Sequence, residues 1–92
     1  MTTQQREQAR LSLLRYCDSA DQYGLAASLL LQFLRNEGFR GLTPAGLDAE
    51  ILYLADKGFL VMVDKVISPE NRAWRITASG RDFLAARNLE NV

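Results

Sequence analysis

Ninety-two residues suffice for one domain with a modest core, and 48% hydrophobic against 24% charged residues is an ordinary globular balance. Eleven basic and eleven acidic residues cancel, so the chain lacks the basic excess that usually draws a protein to phosphate. There is no histidine and only one cysteine, which excludes a soft tetrahedral metal site, a disulfide within the chain and imidazole acid–base chemistry. No apolar run reaches the ~18 residues that a bilayer span requires, and the polar first eight residues do not read as a signal peptide. These features predict a cytoplasmic protein without a membrane partner.

Taken in chain order, residues 4–20 read as a first helix, with Ala9, Leu13, Tyr16, Cys17 and Ala20 on one face. Arg6 and Arg10 stand one turn apart as an unfavourable like-charge pair, and Cys17 reads as a buried small side chain. A turn-rich segment, residues 18–24, ends this helix. Residues 25–36 read as a second helix, where Ala27, Leu30, Leu31 and Leu34 form one stripe. Leu29 and Phe33 add a second apolar direction, which suits an interface.

Gly38 and Gly41 give the link at residues 37–42 its freedom to turn. Phe39 between them is either an exposed anchor or a plug between helices. Thr43 reads as an N-cap and Pro44 as the first residue of a third helix, whose stripe is Leu47, Ile51, Leu54 and Ala55. Gly58 closes it as a C′ residue. Residues 59–67 are β-rich, Ser68-Pro69-Glu70-Asn71 has the form of a type I turn, and residues 73–76 return as a second strand. Trp74 and Ile76 share one face of that strand and Arg75 takes the other; the alternation favours Trp74 in the core over base stacking. Thr77 caps a short final helix anchored by Phe83 and Leu84, and residues 1–5 and 88–92 are expected to fray.

The order helix, short extended link, helix, turn, capped helix, hairpin, closed by Ile76-Thr77-x-x-Gly80-x-x-Phe83-Leu84, resembles the winged helix-turn-helix superfamily over nearly the whole chain. More narrowly, the chain resembles small winged-helix proteins of Mu-like phages and prophages, loosely labelled regulators of the arsenic-repressor type. The narrower likeness lies in residues 10–14 and 30–34, in Leu47-x-x-x-Ile51-x-x-Leu54-x-x-x-Gly58-x-Leu60, and in Thr77-x-x-Gly80. It implies a mainly α protein with a three-helix core, a two-stranded wing and a short C-terminal helix, forming a single domain over residues 1–92. It also implies a transcriptional regulator that binds double-stranded DNA as a homodimer. The metal ligands of such sensors are not present in this sequence.

No nucleophile with a partner, phosphate-cradling loop or paired carboxylates can be found, so a non-catalytic protein without cofactor or metal is expected. If the third helix enters a major groove, the candidate DNA contacts are Arg40 and Thr43 at its start, Tyr53 and Lys57 on it, and Lys65, Arg72 and Arg75 on the wing. Arg35 can join this rim. Gly46, Glu50, Tyr53 and Lys57 are read as the exposed face, with Asp48 and Asp56 beside it, a poor surface to bring toward a polyanion. The alternative is a protein-interaction or assembly module on the same fold, with Leu29 and Phe33 as candidate oligomer contacts.

Overall fold

A computed structural model describes residues 1–63 and 72–90, with side chains up to Arg87. Three of its helices begin where side chains satisfy the open N–H groups of a first turn. The Thr2 hydroxyl accepts from Gln5 N at 3.1 Å while the Gln5 side chain accepts from Thr2 N, a reciprocal cap that starts α1, Thr3–Ala20. This cap falls within residues 1–5. Thr43 caps α3, Pro44–Asp56, by accepting from Gly46 N at 3.0 Å. Thr77 caps α4, Ala78–Glu90, by accepting from Gly80 N at 3.1 Å. At 13 residues α4 is not short.

The second helix starts later than its composition suggests. Leu25–Ala26 is an extended strand, β1, and α2 spans Ala27–Glu37. Gly24, at φ +69°, turns the chain out of α1 so that Leu25 and Ala26 lie opposite Trp74 and Ala73 of β3, Ala73–Ile76. Ala27 N continues that pairing by donating to Arg72 O at 3.1 Å. A side chain at Gly24 would lie 2.6 Å from Trp74 O, so the close approach of the two strands itself requires glycine.

β2, Leu60–Met62, pairs with the other edge of β3, placing Leu60 opposite Ile76 and Met62 opposite Trp74. The result is a three-stranded antiparallel sheet of order β1-β3-β2, where two strands were expected. Val63 N extends the ladder to Ala73 O at 2.9 Å. The rest of the expected strand and the turn at residues 68–71 lie outside the described residues.

Leu13, Leu14 and Cys17 of α1 are fully buried against Leu30 and Leu34 of α2, Leu47 and Ile51 of α3, and Ile76 of β3. Removing each large aliphatic side chain from water contributes about 1.5–3 kcal/mol. Trp74 is 9% exposed and belongs to this core, as its alternation with Ile76 predicted. Phe39 packs half-buried against it, the plug rather than the anchor. α4 closes the remaining side: Phe59 and Phe83 stack with centroids 4.8 Å apart, and Thr77 N donates to Phe59 O at 3.0 Å. Arg81 reaches both Asp18, at 3.5 Å, and Asp21, at 3.4 Å, tying α4 to the end of α1. Among the described residues no helix is long and apolar enough to cross a membrane.

Candidate nucleic-acid interface

α3 buries Leu47, Glu50, Ile51 and Leu54. Glu50, expected on the exposed face, is thus corrected to the inner stripe, where it is 3% exposed. The physical reason is its phase: position 50 lies three residues after Leu47 and four before Leu54, the spacing of one helix face. A carboxylate can stay ionised there only with partners. α1 provides them, since Arg10 Nε donates to Glu50 Oε2 and Arg6 Nε lies 3.4 Å from Oε1. The two arginines that looked mutually repulsive share one buried counter-charge.

Arg10 also covers the Tyr53 ring, its guanidinium carbon 3.7 Å from the centroid, and Lys57 Nζ lies 5.7 Å from the same centroid. Tyr53 and Lys57 are therefore brought together, but on the edge of α3 that faces α1. The row of α3 toward the other side is different. Asp48, Leu52 and Asp56 follow at one-turn intervals, all exposed, and Leu52 is 56% exposed.

Beside that row lies a groove of about 400 Å³, walled by the first turns of α2 and α3. Ala27 and Ser28 border it on one side, Pro44 and Asp48 on the other, with Arg72 and Trp74 at its sheet end. α2 has no side-chain cap at its N-cap Ala26, so beyond Ala27 N, which donates to Arg72 O, its first turn offers N–H groups to an outside acceptor.

The other predicted contacts scatter. Arg40 is exposed in the link before α3, and Thr43 spends its hydroxyl on the helix cap. Arg75 is exposed next to buried Trp74 and Ile76, on the outer face of β3 opposite Val61, away from the groove. Lys65 lies outside the described residues. Arg35 does not join a rim, because its Nε donates to Leu42 O at 2.9 Å and holds the link between α2 and α3. Of the candidate oligomer contacts, Leu29 is 37% exposed, while Phe33 is half-buried with its ring 5.2 Å from that of Tyr16.

Two ionisable groups sit in altered surroundings. Burial pushes the Cys17 thiol up from 9.0 to about 12, which removes it as a nucleophile at neutral pH. Tyr16 is raised by burial first, then by the charge of Glu37 and a hydrogen bond to it. Among the described residues no group of three or more acidic or cysteine side chains is placed to hold a metal ion.

Sequence reasoning missed the Arg6–Glu50–Arg10 cluster. Its signal was present in the phase of Glu50 and in the spacing of Arg6 and Arg10, one turn apart on the neighbouring helix. No family model matches the chain, and no curated protein matches it.

Proposed function

We propose that this chain is a winged helix-turn-helix protein that binds double-stranded DNA as a homodimeric, non-catalytic regulator of the kind found in Mu-like phages and prophages. Its element order supports the fold half of this reading: a short strand between α1 and α2 pairs with the second wing strand, and α3 leads directly into the first.

The observation that carries DNA binding is the groove where the first turns of α2 and α3 meet Arg72. The uncapped N-terminus of α2 and a guanidinium favour a backbone phosphate at this place, and Ser28 adds a hydroxyl donor. The burial of Glu50 under two arginines helps, because it takes one carboxylate off the surface of α3. Phosphates would be held by Arg40, Arg72 and Lys57 around the helix. The row Asp48, Leu52, Asp56 offers no bidentate donor for base edges, so the binding would be weakly sequence-selective.

A titration of mixed-sequence duplex followed by fluorescence anisotropy over a salt series tests the proposal. Three phosphate contacts per protomer, six in the dimer, predict a log K against log salt slope of roughly −5. Arg72→Ala, which removes two of them, should lower that slope by about two, with the fold unchanged. An affinity that is absent at low salt, or indifferent to salt, rejects DNA binding.

One observation favours the alternative of a protein-interaction module. Leu52 stands exposed between Asp48 and Asp56, and Leu29 is exposed on α2. This reading predicts oligomers or partner complexes with negligible DNA affinity. Leu29→Glu is the clean probe of an α2 contact, because Phe33 also packs within its own chain on Tyr16. Unchanged association in that variant would remove α2 from the interface.

A further inference from the structure

We propose that the cleft between α1, α3 and α4 binds a small monocarboxylate with an aromatic or short alkyl body. The cleft encloses about 200 Å³ and is separate from the groove beside α2. Its floor is apolar, made of Leu11, Leu54 and the stacked pair Phe59 and Phe83. Its rim carries Lys57 and Arg87, with Arg10 and the Tyr53 ring forming one wall and Glu7 standing at the edge.

Charge and polarity define the occupant. Arg10 is held by Glu50, which it shares with Arg6, so the lining cations left to an occupant are Lys57 and Arg87, against the single carboxylate of Glu7. An anion suits that excess. Arg87 gives the second argument, since it lines the cleft and, among the described residues, makes no ion pair and has no acceptor at its Nε. A carboxylate in the cleft can pair with the terminal nitrogens of its guanidinium. Lys57 makes no ion pair among the described residues and can reach the second carboxylate oxygen. The stacked phenylalanines then take the apolar body. The space suits one ring, as an apolar cavity of about 150 Å³ suffices for benzene.

The site shares Lys57 with the phosphate contacts proposed above, but its test contains no DNA. Benzoate is titrated into the ¹⁵N-labelled protein beside benzyl alcohol, which keeps the ring and removes the charge. Benzoate should give saturable shifts at Leu11, Leu54, Phe59 and Phe83 with a Kd of roughly 1 mM, and benzyl alcohol should bind at least tenfold more weakly. Lys57→Met and Arg87→Met should each weaken benzoate about tenfold without disturbing amides outside the cleft. Should either variant unfold, the comparison of benzoate with benzyl alcohol on the intact protein still decides. Equal affinity for the two compounds, shifts centred elsewhere, or no saturation by about 20 mM would overturn the site.

Discussion

Glu50 is the residue on which the seating of α3 against α1 most depends. Its carboxylate is enclosed, whereas Arg10 keeps 23% and Arg6 55% of the side chain in water. Deleting the acid leaves Arg10 unbalanced beside the core, so Glu50→Ala should destabilise by about 2–3 kcal/mol, less than for a fully enclosed pair. Arg6→Ala should cost under about 1 kcal/mol, since its charge is mostly solvated. Urea unfolding of the two variants would check this order, and the reverse order would show Arg6 to be the principal partner. Cys17 makes a second prediction at this scale. A thiol raised from 9.0 to about 12 in the native state binds its proton where the unfolded chain releases it. The stability it contributes is complete below pH 9 and is lost as pH rises toward 12. At pH 8 a disulfide reagent should label Cys17 only through unfolding, with a rate that climbs with urea in step with the unfolded fraction. Rapid labelling of the native protein would contradict its burial.

The elements are joined by backbone contacts more than by their own propensities, which explains what could be read from the sequence and what could not. Thr43 and Thr77 announce their helices because an N-cap acts on its own first turn, and both caps are found where the chain places them. β1 was hidden because Leu25 and Ala26 are good helix residues whose alternative partners, Trp74 and Ala73, lie nearly fifty positions away. Glu50 was misplaced for a related reason: polarity was allowed to outweigh phase, and its compensating arginines sit on another helix. The Thr77-x-x-Gly80 pattern was legible as a motif before its cause was. Thr77 caps α4 and also donates its hydroxyl to Gly58 O, while a side chain at Gly80 would lie 2.5 Å from Phe59 O and 2.7 Å from Ile76 Cγ1. Gly80→Ala therefore sets a helix-propensity gain of about 1 kcal/mol against a steric clash with backbone. The clash should win, leaving a net loss of about 1–3 kcal/mol in thermal or urea unfolding. A stabilised variant would mean that α4 shifts freely on the sheet.

Across the whole molecule, zero net charge conceals a division of labour among the charges. Arg6, Arg10, Arg35 and Arg81 are occupied in holding helices and the α2–α3 link together, which leaves Arg15, Arg40, Lys57, Arg72 and Arg75 as exposed cations among the described residues. Arg15 stands on α1 and Arg75 faces away from the groove, so only three of these flank α3, beside a row containing Asp48 and Asp56. Such a surface can meet a duplex weakly, and its affinity should respond sharply to one added charge. Leu52 is the place to add it, because it is exposed at the centre of the row and its loss removes little core. Leu52→Lys should keep stability within about 0.5 kcal/mol. If α3 faces DNA, the variant should bind mixed-sequence duplex more tightly at low salt, with the log–log salt slope of the dimer steeper by about 1.8. An unchanged slope, with the protein still folded, would mean that this row points away from the duplex. The exposed leucine would then be better explained as a contact for another protein surface.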